Sequence, residues 1–164
     1  VPVAKQSATD LHVLSANATA AGGGGTRTTT RVFKESADQA ITLGPTLATP
    51  TFTTLADFPY RRTRIQLARQ AEYDDLWTLV YSQTGRRVTV NVSSSQLGSN
   101  PFDFAFPDLT GVAGWQNAWA PVANVATTYS FSVSGWSNAT GGFFLPYSEG
   151  VLINSATRTG SMPP

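Results

Sequence analysis

The sequence predicts a mainly β protein: an antiparallel β-sandwich or barrel-like domain with one short flanking α-helix and a flexible N-terminal arm. Three observations predict this class. Short segments alternate apolar and polar residues, which is the period of half-buried strands. Glycine and proline separate these segments, as is typical of sheets built from short strands. The chain has 164 residues, enough for one domain with its own core.

The chain divides into three predicted regions. Residues 1–25 are expected to be a flexible arm and loop, because residues 16–25 are mostly small and end in four glycines. Residues 26–156 form the predicted sandwich. Residues 157–164 follow the last strand signal and are expected to be a free C-terminal tail.

Alternating or β-branched segments give the predicted strands. The most regular of them places Tyr129, Phe131 and Val133 on one face and serines on the other. In chain order, strands are predicted at 26–35, 39–43, 51–55, 64–69, 87–93, 102–106, 127–135 and 150–154.

One segment has a helical period instead. Apolar residues between 73 and 81 recur at helical spacing. Three acids stand at the start, where the helix dipole favours negative charge, and Gly85 follows as a cap. We therefore predict a helix at 72–83 that packs Leu76, Trp77 and Val80 on the sheet. The acids in its first turn are Glu72, Asp74 and Asp75.

Composition and spacing give no support for catalysis, for a cofactor or for a metal. The chain has no cysteine, which excludes thiol chemistry and cysteine-ligated metals. The one histidine, His12, falls in the predicted arm near Ser7 and Asp10, where no rigid scaffold would hold a catalytic triad. The acids at 72–75 do not have the spacing of a calcium loop. We expect a protein that is not an enzyme.

Charge and hydropathy limit the partners. The formal net charge is +1, which does not predict a nucleic-acid or membrane partner. No apolar run approaches transmembrane length, and no signal segment is recognisable at the start. Arginines on both sides of the predicted helix would share one face if the flanking strands pair, and they could then bind phosphate or a neighbouring subunit. These candidates are Arg61, Arg62, Arg64, Arg86 and Arg87.

Aromatic residues near the C-terminal half allow a second interpretation. Aromatics in a sheet protein usually form core or subunit contacts, but exposed ones can form a sugar-binding platform. The candidates are Trp115, Trp119, Trp136, Phe143, Phe144 and Tyr147. A secreted carbohydrate-binding or adhesive sandwich module is therefore one alternative.

The order of elements from residue 63 to 142 resembles the major tail proteins of long-tailed bacteriophages, which form the tail tube. The shared order is a strand at 64–69, a helix opened by acids at 72–83, the glycine at 85 and a strand at 87–93. A Gly/Pro loop, the aromatic strand at 102–106 and the alternating strand at 127–134 complete it.

This resemblance implies a structural virion protein. Its copies would join into a hexameric ring, the rings would stack, and the bore would pass DNA without sequence-specific contact. Arms at 1–25 and 158–164 would become ordered on assembly, and other virion proteins would be further partners. The apolar extension at 141–154 does not fit this pattern, so a capsid, neck or decoration protein of the virion is a further alternative.

Overall fold

The computed structural model describes residues 5–7, 9–35, 37–137 and 147–162. They form two antiparallel sheets, and the predicted mainly β class is confirmed. The elements in chain order are β1 (His12–Thr19), β2 (Gly25–Phe33), β3 (Thr51–Ala56), β4 (Arg62–Leu67), β5 (Leu76–Gln83), β6 (Arg86–Ser93), α1 (Ser94–Leu97), β7 (Phe102–Ala105), β8 (Thr127–Ser137) and β9 (Leu152–Met162).

The larger sheet has six strands in the order β1-β2-β9-β8-β5-β6, and the smaller has three in the order β3-β4-β7. Strands predicted at 26–35, 51–55, 64–69, 87–93, 102–106 and 127–135 correspond to β2, β3, β4, β6, β7 and β8. The strand at 150–154 is the first part of the much longer β9.

The helix predicted at 72–83 is wrong. A 3₁₀ turn at Ala71–Tyr73 leads into β5, which pairs with β6 on one side and β8 on the other. Burial along β5 has a period of two, so Trp77 is buried whereas Leu76 and Val80 lie half-buried on the opposite face. The three residues therefore do not form one packing face. The short helix among the described residues is α1, of four residues.

The arm predicted at 1–25 and the tail predicted at 157–164 are also corrected. Residues 12–19 form β1, and residues 157–162 belong to β9, between β2 and β8. The inward side of β9 carries the small residues Ala156 and Gly160, and an added Cβ at Gly160 would meet the Tyr129 ring at 2.8 Å. A strand of this kind has no apolar alternation to reveal it. Residues 1–4 and 163–164 lie outside the described part.

No strand forms at 39–43. Instead, residues 40–48 form an irregular segment. Its carbonyl groups accept hydrogen bonds from side chains of β2 and β9, from Tyr73 in the 3₁₀ turn and from Gln70 just before it. The bonds, each given as donor to acceptor, are Arg31 to Ala40 O (3.3 Å), Thr29 to Thr42 O (3.3 Å), Arg27 to Gly44 O (2.9 Å), Tyr73 to Pro45 O (2.6 Å), Gln70 to Thr46 O (3.1 Å) and Arg158 to Leu47 O (2.9 Å).

The core lies between the sheets. Phe102 of β7 meets Phe131 of β8 edge to face at 4.8 Å, and Phe52 of β3 lies 4.9 Å from Tyr129 of β8. The small sheet therefore covers the central strands, while the 40–48 segment covers the inner side of β2 and β9. Other fully buried members of this core include Ile65, Trp77, Leu79 and Val133.

Candidate assembly interface

β1 is an outer strand of the six-stranded sheet with no partner on its free side among the described residues. It pairs with β2 without a bulge from His12 to Thr19, and it contains neither proline nor an Asp, Glu, Lys or Arg side chain. Val13 and Leu14 are exposed on it. Long, uncharged edges of this kind present unpaired N–H and C=O groups that readily pair with another chain.

The hydrogen-bond pattern shows which backbone groups of β1 face outward. Ala20 N–H donates to Gly25 O at 2.8 Å where the hairpin closes. Bonded positions in an antiparallel pair recur at every second residue, so the backbone of Ala18 and Ala16 faces β2. The backbone groups of Asn17 and Ser15 consequently face the free edge.

β6 forms the opposite edge of the same sheet. Its hairpin with β5 has a two-residue loop, Thr84-Gly85, closed by the pair Gln83 and Arg86. By the same alternation, the backbone groups of Thr89 and Asn91 face outward. Charged side chains occur only at the first two positions of β6, so most of this edge is unprotected as well.

The edges of the small sheet differ. β3 has a register shift between Thr54 and Ala56, and such bulges hinder further pairing. β7 has only four residues, and Asp103 within it binds the guanidinium of Arg64 on the neighbouring strand β4. Short length, a bulge and charge are the usual protections of a sheet edge. The six-stranded sheet has them on neither β1 nor most of β6.

The outward face of the six-stranded sheet is covered with hydroxyl groups. Cross-strand pairs on it include Ser15 with Thr30 at 2.8 Å and Ser132 with Thr157 at 3.1 Å. Among the described outward-facing strand positions, Arg87 at one corner carries the only full charge, as the register and burial patterns show. A neutral surface of this kind has no electrostatic barrier to contact with an identical surface.

The five candidate arginines are not brought to one face. Arg61, Arg62 and Arg64 lie at β4 in the small sheet, whereas Arg86 and Arg87 lie on β6 in the large one, and these two strands do not pair. The shared phosphate-binding face would require that pairing. That expectation is wrong in its geometry.

Four of these arginines bind acceptors within the protein. Arg61 Nη2 donates to Thr54 Oγ1 at 2.8 Å, and Arg86 Nε donates to Ala118 O at 2.9 Å. Arg87 is exposed and has no hydrogen-bond partner among the described residues. The remaining contacts join Arg62 to Phe106 O (3.1 Å) and to Asp108 (3.3 Å), and Arg64 to Asp103 (2.8 Å).

Two of the three acidic residues, Asp74 and Asp75, have structural partners rather than a helix to cap. Asp74 binds the Arg69 guanidinium, and Asp75 Oδ2 accepts the N–H of Trp136 at 2.7 Å. These bonds fix the turn before β5. No group of three or more potential metal ligands is found in the described ranges.

The pKa values of two exposed carboxyl groups are lowered by hydrogen bonds. The Arg64 guanidinium beside Asp103 lowers the pKa of that carboxyl, chiefly through the hydrogen bond. At Asp108 the backbone N–H of Thr110 is the main cause of the lowered pKa. Both groups are therefore charged at neutral pH and act as fixed acceptors for neighbouring residues.

His12 does not lie in an arm. It begins β1, its ring lies 5.4 Å from that of Phe33, and it bonds with Gln6. Ser7 and Asp10 bond each other in the turn before β1 rather than the histidine. The three residues do not form a triad.

The aromatic candidates separate. Trp115, Trp119, Trp136 and Tyr147 are described, and Phe143 and Phe144 lie outside the described residues. Trp115 and Trp119 meet edge to face at 5.8 Å, whereas Trp136 lies on β8 beside the acidic turn. Only the first two therefore share a surface by direct contact.

Sequence reasoning missed β1 as an edge strand and β9 as a central one. The repeated spacing of Thr26, Thr28 and Thr30 on β2, with Thr157 and Thr159 on β9, could have indicated neighbouring strands with one hydroxyl face.

No helix in the described part of the chain is long and apolar enough to cross a membrane. Comparisons with protein-family models, curated proteins and solved structures find no match to this chain.

Proposed function

We propose that this protein is a structural protein of a virion that assembles by joining copies of its six-stranded sheet edge to edge. The observation that carries the proposal is that the two edges of this sheet, β1 and most of β6, lack the protections present on the small sheet. Pairing β1 of one copy with β6 of the next would satisfy the outward backbone groups of both strands.

Such a contact joins two different surfaces, so it is heterologous. Repetition of a heterologous contact produces a ring when the rotation closes and an open filament when it does not. A ring of copies with continuous sheets is the arrangement that the tail-tube resemblance implies. Its bore would conduct DNA without reading the sequence.

The resemblance supports the location, and the sheet edges support the assembly. The helix at 72–83 was part of the resemblance and is a strand, so the edges carry the greater part of the argument. A capsid, neck or decoration protein would use the same edges with another symmetry. We take the tail tube as the first assembly to test because its ring follows from one repeated contact.

A secreted carbohydrate-binding or adhesive module is the second candidate function. The observation in its favour is the 54% exposure of Trp119, a large aromatic residue at one end of the sandwich. A monomer that binds sugar and does not assemble would support this function instead.

The test is to remove one outward N–H group from each edge. Proline is tolerated on edge strands where its position faces solvent, so Asn17→Pro and Thr89→Pro should leave the fold intact. Asn17→Ala and Thr89→Ala keep the N–H groups and serve as matched controls. Light scattering after size exclusion measures mass, negative-stain microscopy shows rings, and circular dichroism checks the fold.

We expect the unmodified protein and both alanine variants to form rings. Each proline variant should remain folded but should have a lower assembly mass and form no rings. If the unmodified protein is a dimer and only Asn17→Pro converts it to a monomer, the contact is a symmetric β1–β1 pair and the ring is excluded. An unmodified protein that stays monomeric at high concentration would contradict the assembly proposal.

A further inference from the structure

Trp119 is exposed but held in a fixed position. The 3₁₀ turn Asn117–Trp119 is closed by Trp119 N–H on Gln116 O at 3.0 Å. The indole meets Trp115 edge to face at 5.8 Å, and Trp115 lies 5.8 Å from the buried Tyr60. A rigid aromatic surface loses little conformational entropy when a ligand stacks on it.

Arg86 is anchored to the same turn. Its Nε–H donates to Ala118 O, the carbonyl directly before Trp119, at 2.9 Å. Its Nη1 and Nη2 atoms have no hydrogen-bond partner within the described chain. A guanidinium with free terminal nitrogens is suited to bind a carboxylate through two parallel hydrogen bonds.

Asn117 supplies a third group. Its Oδ1 accepts the indole N–H of Trp115 at 3.1 Å, which identifies the other amide atom as the NH₂ donor. This donor has no partner among the described residues. The turn therefore combines an apolar ring, a positive fork and an amide donor within three consecutive residues and the arginine bonded to them.

We propose that this turn binds an acidic sugar, a hexuronate unit of a polysaccharide. The C–H face of the pyranose would stack on Trp119, the carboxylate would accept from Arg86, and a ring hydroxyl would accept from Asn117. This binding site does not depend on assembly, because all of its residues belong to one copy.

Single-stranded nucleic acid also combines rings with negative charge, but it fits this surface less well. Such ligands need a positive groove that follows several phosphates. Arg61, Arg62 and Arg64 are bonded to acceptors within the small sheet. Arg87 points to the other face of β6 from Arg86, so the turn offers one cation and not a row of them.

The test compares hexagalacturonate with cellohexaose, a neutral oligosaccharide of the same length, by calorimetry and tryptophan fluorescence. We expect the acidic ligand to bind and to bind less well in high salt. Trp119→Ala and Arg86→Gln should each weaken binding of the acidic ligand about tenfold or more. Arg87→Gln should not weaken it, because Arg87 is the adjacent exposed arginine on the opposite face. Unchanged melting temperatures confirm that the variants are folded.

The proposal is overturned if hexagalacturonate does not bind, if both oligosaccharides bind equally, or if Arg87→Gln weakens binding as much as Arg86→Gln. Binding of oligothymidylate with loss in Trp119→Ala, and no binding of the sugar, would assign the turn to nucleic acid instead. Measuring the assembly-deficient Asn17→Pro variant in parallel separates this result from the assembly proposal.

Discussion

The side-chain amide of Gln83 forms with Val122 the two hydrogen bonds that a neighbouring strand would form. Val122 N–H donates to Gln83 Oε1 at 2.9 Å, and Gln83 Nε2 donates to Val122 O at 2.8 Å. Gln83 Nε2 also donates to Thr127 Oγ1 at 2.9 Å. A buried glutamine thus replaces a backbone ladder where the loop from β7 returns to begin β8.

We expect Gln83→Leu to lower the free energy of unfolding by about 2–4 kcal/mol, because both backbone groups of Val122 and the buried Thr127 hydroxyl lose their bonds to the buried Gln83 amide. Gln70 also forms two backbone bonds, donating to Thr46 O and accepting from Ala48 N–H, but it is half-buried, so Gln70→Leu should cost less. Denaturant melts measure both. Equal losses would show that burial of the Gln83 contact is not the cause.

Tyr81 carries a buried hydroxyl with no hydrogen-bond partner among the described residues. Burial raises the pKa of this phenol well above its usual value. Because this hydroxyl has no partner, its removal leaves no other buried group without a hydrogen bond. Tyr81→Phe should therefore leave stability unchanged or raise it by about 1 kcal/mol, measured by denaturant melts. A loss above about 1 kcal/mol would mean that the hydroxyl has a partner, for example a buried water.

Gly135 on β8 lies against the backbone of the acidic turn. A Cβ atom there would stand 2.4 Å from Glu72 O and 3.0 Å from Asp74 N. Gly135→Ala should destabilise the protein by about 1–3 kcal/mol or more, since backbone must move to admit the methyl group. Gly24→Ala is the control, because its Cβ would meet Thr159 O at 3.9 Å. Thermal melts that show no difference between the two would place the turn farther from β8.

The Arg64–Asp103 pair predicts a pH dependence. The folded-state pKa of Asp103 is lowered by its hydrogen bond to Arg64, so its contribution is complete above the unfolded value of about 3.9 and is lost as pH falls through the folded value. Asp103→Asn should therefore melt below the unmodified protein at pH 6, and the gap should shrink below pH 4. A gap that is unchanged at low pH would assign the loss to something other than the carboxylate's charge.

Apolar alternation predicted most of the strands, but it failed where both faces of a strand look alike. On β5 the outward residues Leu76 and Val80 are apolar like the inward Trp77, so a helical stripe and a strand fit the same letters. Burial of Trp77 was predicted correctly although its element was not. Period alone cannot separate these cases, because the deciding partner, β8, lies about 50 residues away in sequence.

The candidate sites were less predictable than the fold. Whether Arg86 binds phosphate, solvent or Ala118 O depends on where the loop after β7 returns, and local sequence does not carry that information. The same holds for β1, whose exposure as an edge depends on the placement of β2 beside β9. Trp119 was named as a possible sugar contact, but its contact with Trp115 and its exposure required the structure.

The 40–48 segment is held in register differently from a strand. Two strands that slide by two residues can restore every ladder bond, because each rung is the same backbone pair. Here each carbonyl meets a different side chain: a guanidinium at Gly44 and at Leu47, a phenol at Pro45 and a hydroxyl at Thr42. The accepting carbonyls are unevenly spaced along the segment, at residues 40, 42, 44, 45, 46 and 47, so it has no regular repeat by which a slip restores all the bonds. The alignment of the 40–48 segment therefore depends on several individual side-chain contacts. One inserted residue would disturb this segment more than it would disturb an exposed loop.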